Sequence, residues 1–156
     1  MRYFLIILLI VIPIKGQAKD FFLDITDQIQ DNEFRLSYGV SVTDVNKDNN
    51  FEFVVTGFGF KNLALTYKDG KLVNIINEEI FSDPSRRTIG VAACDIDKDG
   101  YEEIYFLNTD TYSGDKIYSD RLLDLNKDKF IDLFEIEKNK TDLNLTAGRS
   151  VVCVDR

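Results

Sequence analysis

Short apolar runs alternate with acidic turns along most of the chain. Phe51-Glu-Phe-Val-Val-Thr and Glu103-Ile-Tyr-Phe-Leu are brief and rich in β-branched and aromatic residues, which predicts buried strands rather than helices. Leu63–Tyr67 leads through Lys68-Asp69-Gly70-Lys71 into Leu72–Ile75, and an Asp-Gly step between alternating runs predicts a tight hairpin. The same design returns as Leu122–Leu125, Asn126–Lys129 and Phe130–Leu133.

These runs belong to a repeat. Tyr38–Asp48 recurs 51 residues later as Ile89–Asp99, with a glycine, an apolar stretch and an acidic cluster in the same order. The hairpin recurs after 58 residues, so a seven-residue insert is expected near the polar stretch Asn108–Asp115, which holds Gly114. Each unit predicts four short antiparallel strands. One such sheet cannot bury both faces alone, so the expected fold is all-β, with antiparallel four-stranded blades stacked as in a β-propeller. About two blades plus flanking strands make an incomplete propeller, which calls for further chain or partner chains. The expected divisions are an N-terminal segment at 19–36, repeat 1 at 37–87, repeat 2 at 88–138, and a polar loop with the first strand of a truncated third repeat at 139–156. Phe21–Thr26 is expected to close a neighbouring blade, and Arg149–Asp155 to open a third.

The first residues follow a different logic. Met1–Arg2 is a basic start, Tyr3–Ile14 is continuously apolar, and Gly16-Gln17-Ala18 supplies small residues, which predicts a secretory signal peptide cleaved after Ala18. The apolar run is shorter than the ~20 residues of a spanning helix, so no membrane span is expected after cleavage. The net charge of -8 would then become -10, from 17 basic and 27 acidic residues. So acidic a chain repels nucleic acid and attracts cations. Cys94 and Cys153 have no metal-like spacing; they could pair in a secreted chain or each serve as a small buried apolar residue.

The candidate chemistry lies in two clusters of identical spacing. Asp44, Asn46, Asp48 and Glu52 form the first; Asp95, Asp97, Asp99 and Glu103 form the second. Oxygen-bearing side chains fall at positions 1, 3, 5 and 9 of each, and a calcium ion takes about six to eight such hard ligands from a flexible loop. Position 6 should adopt a left-handed turn, which Gly100 enters freely and Asn49 tolerates. The bland alternative is a solvated acidic turn. Two copies in register between apolar strands favour the ion, because crowded carboxylates repel one another without one. With four formal charges against three, the second loop is expected to bind tighter.

A third stretch, Asp124-x-Asn126-x-Asp128 with Asp132 and Glu135, approximates an EF-hand loop over 124–135. Lys129 stands where that loop needs glycine, and the repeat aligns the stretch with a hairpin, which is the preferred reading. Asn139-Lys-Thr141 and Asn144-Leu-Thr146 are glycosylation sequons, expected in an exposed loop. The absence of histidine excludes the common Ser-His and Cys-His catalytic pairs and the usual zinc sites. Asp95 and Asp97 evoke the paired aspartates of phosphatases, but Asp99 stands where that motif expects threonine or valine. A secreted glycan-active enzyme using two carboxylates remains the catalytic alternative.

The Gly-Val-x-x-x-Asp-x-Asn/Asp-x-Asp frame followed by an apolar strand resembles the FG-GAP (VCBS-type) repeats of integrin α-like propellers. Asn46 and Asn49 stand where that family more usually has aspartate and glycine. The resemblance implies a secreted, non-catalytic glycoprotein of the matrix or cell surface, with calcium-stabilised blades and an extracellular protein or glycan partner. The family's calcium ligands carry over onto Asp44, Asn46, Asp48 and Glu52, and onto Asp95, Asp97, Asp99 and Glu103.

Overall fold

The computed structural model describes residues 22–154; the signal-peptide expectation lies outside them. Strands β1 (Val40–Thr43), β2 (Glu52–Val55), β3 (Leu63–Lys68) and β4 (Lys71–Asn74) form one four-stranded sheet. Strands β5 (Thr88–Cys94), β6 (Glu103–Asn108), β7 (Arg121–Asn126) and β8 (Lys129–Asp132) form a second. In both, each strand pairs antiparallel with the next in the chain. One helical turn, α1 (Glu79–Ser82), lies between them. The fold is therefore mostly β, and among the described residues neither sheet closes on itself.

Local chemistry sets the hairpins. Asp69 and Gly70 both take positive φ, at 51° and 81°, the condition for a two-residue turn that matches strand twist. Lys127-Asp128 makes a two-residue turn between Asn126 and Lys129, in which Lys127 alone takes positive φ, at 59°. The longer second unit places its extra residues between β6 and β7, over residues 109–120, where β2 and β3 are joined by 56–62. That connection holds residues 109–115 of the stretch Asn108–Asp115 expected to absorb the insert, while Asn108 ends β6.

Alternation then builds one shared core. Val54 and Ala64 from the first sheet join Val91, Ile104, Phe106, Leu123 and Phe130 from the second. Phe81 of α1, fully buried, fills the space between them, edge-on to Phe106 at 5.3 Å and tilted against Phe130 at 5.1 Å. The sheets also approach through their first strands. A Cβ on Gly39 would lie 3.0 Å from the Cα of Gly90, so the glycine that recurs in each unit permits backbone-to-backbone contact.

Neither expected flanking strand pairs in a ladder among the described residues. Residues 22–25 carry no ladder, and Thr26–Gln28 form a 3-10 turn in place of a closing strand. Asp24 Oδ1 accepts from the Thr26 amide at 2.9 Å and its hydroxyl at 2.6 Å, a local bond set that competes with extended pairing. Only Ile29 then bridges to Leu72, in parallel. At the other end, residues 149–154 form no ladder; Asp155 lies outside the described residues. Side-chain contact and a covalent bond hold this segment instead: Val151 lies against Gly90, and Cys153 is disulfide-bonded to Cys94 of β5.

The disulfide closes a loop of 59 residues. Constraining a loop of that length in the unfolded chain stabilises the fold by about 4 kcal/mol on the chain-entropy account. Replacing both cysteines by serine should therefore cost about 2–4 kcal/mol. The check is urea unfolding, in which the midpoint should fall clearly below that of the oxidised protein.

Candidate metal centres

The two acidic loops are the β1–β2 and β5–β6 connections, and the strand register dictates their shape. Thr43 pairs with Glu52 and Cys94 with Glu103, so each cluster begins just beyond a ladder and ends on its closing partner. Position 9 is thus carried back beneath position 1 by the ladder itself. Inside each loop the backbone turns left-handed twice: at Lys47 and Asn49 in the first (φ 60° and 67°), and at Lys98 and Gly100 in the second (φ 67° and 93°). Position 6 behaves as its residue types require; position 4, a lysine in both, gave no such signal.

Those turns aim backbone amides at the carboxylates. Asp44 accepts from the amides of Asp48 (3.0 Å) and Asn49 (2.7 Å), and Asp95 from those of Lys98 (2.7 Å) and Gly100 (3.1 Å). Asp48 accepts from the Asn50 amide and Asp99 from the Tyr101 amide, both at 2.8 Å. At position 9, Glu52 Oε2 accepts from the Val45 amide (3.1 Å) and Glu103 Oε2 from the Ile96 amide (2.7 Å). The loops therefore share the bonds to positions 5 and 9 and the position 6 bond to position 1, while the second donor to position 1 is the amide of position 5 in the first loop and of position 4 in the second. They also differ at position 3. Asn46 donates its amide to Asp48 Oδ2 at 2.9 Å, whereas Asp95, Asp97 and Asp99 bring one oxygen each to within 4.8 Å of one another.

The two glutamates are the unusual groups. Glu52 is fully buried, and its Oε1 has no hydrogen-bond partner; Glu103 is almost as deeply placed. Burial pushes both carboxyls above the ordinary glutamate value, opposed by the Val45 and Ile96 amides and, for Glu52, by the Thr66 hydroxyl, and reinforced by neighbouring aspartates. Asp48 is held below its ordinary value, first by the Asn50 amide and then by Asn46. A buried carboxylate oxygen without a donor, beside two further carboxylates, matches what a hard cation needs and what water-free protein does not tolerate. The all-oxygen donor set suits calcium rather than zinc or copper.

The third acidic stretch is not a loop of this kind. Asp124–Asp132 spans the β7–β8 hairpin without flanking helices, which overturns the EF-hand alternative. Leu123, Leu125 and Phe130 alternate toward the core, so the segment is held as strands. Asp132 instead bonds Arg121 at 2.8 Å and caps the Phe134 amide at 3.1 Å, and Glu135 meets Arg121 at 3.3 Å.

Two groups of residues escaped the sequence reading. Lys116, fully buried, pairs with Asp120 and donates to the Asn108 carbonyl at 2.9 Å. Asp120 also accepts from the Tyr105 hydroxyl and the Asn144 amide, both at 2.6 Å; burial, then Asp120, pushes the Tyr105 hydroxyl up. The sequon asparagines are accordingly not free loop side chains: both are half-buried, and Asn139 donates to the Leu133 carbonyl at 2.7 Å. The second group centres on Lys47, whose ammonium crosses from the first loop toward the second. No spacing rule reveals either, because the first is assembled by the irregular connection between β6 and β7 together with Asn144, and the second joins residues 52 or more apart.

No protein-family model matches the chain. Its sequence is similar to curated proteins named cartilage acidic protein 1: 44% identical to that of Xenopus tropicalis over 90% of this chain, 42% to that of Homo sapiens over 90%, and 40% to that of Mus musculus over 94%. The chain spans about a quarter of the length of these relatives, 24–26% of each.

The raised glutamates fix a sign for pH dependence. Each binds a proton more readily folded than unfolded, so its stabilising contribution is full below the ordinary value of 4.5 and is lost as pH rises through the folded value. In chelator at pH 7, Glu52→Gln should therefore raise the thermal midpoint and weaken the fall in stability on leaving acid. A lower midpoint than that of the parent protein would mean that the Glu52 carboxylate is already compensated.

Proposed function

We propose that this chain is a calcium-binding interaction module of a secreted matrix or cell-surface protein, built from propeller blades and without catalytic activity. The observation that carries the reading is the buried, unpartnered Oε1 of Glu52 at the ninth position of an acidic loop. Asp44, Asn46, Asp48 and Glu52 would hold one ion, and Asp95, Asp97, Asp99 and Glu103 a second. Bound calcium supplies the positive charge that lets three or four carboxylates share one turn. The protein's own part is to hold the backbone left-handed at positions 4 and 6 and to bring the glutamate under the loop through the strand ladder. Each connection is then clamped at both ends, which stiffens the sheet edge that would face a partner.

Three further observations support the setting. The sheets follow one another in chain order, with their first strands in contact at Gly39 and Gly90, which is how successive blades of a propeller would stack. A disulfide between distant segments suits an oxidising compartment. The likeness to cartilage acidic protein 1 favours an extracellular role, with a protein or glycan as the unidentified partner. No helix among the described residues is long and apolar enough to cross a membrane. A glycan-active enzyme would want a carboxyl of raised pKa in a cleft of its own. Among the described residues the carboxyls shifted upward are Glu52 and Glu103, and both belong to the acidic loops.

Calorimetric titration with calcium tests the reading. Binding is expected in the range of extracellular sites, with dissociation constants of about 10⁻⁴–10⁻³ M. Asp97→Ala should remove the tighter of two phases, and Asp128→Ala, in the hairpin turn, should change neither. Loss of binding in Asp128→Ala with Asp97→Ala intact would put the ion elsewhere and overturn the assignment.

A further inference from the structure

The two loops are alike in plan but not in surroundings. Beside Glu52, the next strand supplies Thr66; beside Glu103, it supplies Asp124, as the registers Phe53–Leu65 and Ile104–Leu123 require. Beyond Asp95, Asp97, Asp99, Glu102 and Glu103, the second loop therefore has a further acid at its border. It also has a base that does not come from its own unit. Lys47, at position 4 of the first loop, places its ammonium 3.9 Å from Asp99 Oδ2 and 4.0 Å from Asp124 Oδ1, and 4.4 Å from the ring centre of Tyr101. Its side chain is only one-quarter exposed, so the charge sits in a partly enclosed gap between the loops.

We propose that Lys47 is a tethered counter-ion of the second acidic loop, which competes with the metal there and couples that loop to the first. The inference rests on the calcium reading of the loops and adds a regulator to it. Distances near 4 Å give attraction without hydrogen-bonded lock-in, and the Tyr101 face provides a seat for the cation. An ammonium so placed relieves repulsion between Asp99 and Asp124 while no metal is bound. A divalent ion entering the same field meets that positive charge and must push it aside. The backbone of Lys47 is part of the first loop, between Asn46 and Asp48, and is held left-handed there. Any ordering of the first loop therefore also sets where this ammonium can reach.

Coulomb repulsion of a divalent ion by one charge about 6 Å away in water amounts to roughly a tenfold effect on affinity, reduced by salt. Lys47→Met should thus tighten metal binding at the second loop by about three- to tenfold at low ionic strength, and Lys47→Arg should stay near the parent protein. The measurement is terbium(III) luminescence sensitised through Tyr101, with displacement by calcium giving the calcium affinity; Asp97→Ala should abolish the signal. The gap between Lys47→Met and the parent should narrow as potassium chloride is raised, whereas a merely structural role would leave it unmoved. Lys140→Met, which removes a distant exposed charge, should behave as the parent. Binding in the parent that Lys47→Met leaves unchanged or weakens would overturn this inference and leave the calcium reading standing. Absence of metal binding in the parent, by luminescence and by calorimetry alike, would overturn the calcium reading and this inference with it.

Discussion

A carboxylate buried at the foot of each acidic loop is the constraint on which the rest of the site depends. Glu52 and Glu103 begin their strands, sit opposite Thr43 and Cys94, and turn inward because strand alternation leaves them no other direction. Each is anchored by one amide from the loop above it. That bond satisfies one carboxylate oxygen and joins the loop to the sheet. For Glu52, the other oxygen is left without a donor, an arrangement that is costly in the metal-free protein and that a hard cation would relieve.

The scaffold has to hold that arrangement against the repulsion it contains. Phe81 locks the first sheet to the second from between them, and an ionic network continues the same seam. Asp83, at the left-handed end of α1, accepts from Arg86 at 2.8 Å and from Arg121 at 2.6 Å, and Arg121 reaches on to Asp132 at 2.8 Å. These groups are largely buried, so removing one partner would strand the others. The disulfide from Cys94 to Cys153 ties the strand that enters the second acidic loop to the far end of the chain. Rigidity thus converges on the loop with the larger negative charge.

Repetition and its defects carry different information. Shared features, such as the glycine of the first strand, the spacing of oxygen ligands and the two left-handed residues, describe what any such unit requires to fold. The differences describe how two units divide their work. Asn46 for Asp97 removes a charge from the first loop, while Asp124 for Thr66 adds one beside the second. Lys47 lies where these two differences meet. Its position makes the pair of loops a single electrostatic system, not two independent turns.

Strand identity, hairpin positions, the acidic spacing and the left-handed turn at position 6 were legible in the sequence alone. Each arises from a local rule: alternation with period two, the freedom of Gly100, and the turn chemistry of Asp69-Gly70. The same local strength let alternation in Leu123, Leu125 and Phe130 outweigh an EF-hand-like acid pattern. At the chain's ends, Phe22–Thr26 and Arg149–Val154 have strand-like composition and form no ladder among the described residues, because a strand forms only where a partner strand is present. Only tertiary structure decided that Cys94 meets Cys153, that Asn144 serves the buried Lys116–Asp120 pair, and that Lys47 faces Asp99. A pairing across 24 to 59 residues depends on how whole sheets stack, and stacking is set by the summed shape of many side chains, which no single stretch of sequence encodes.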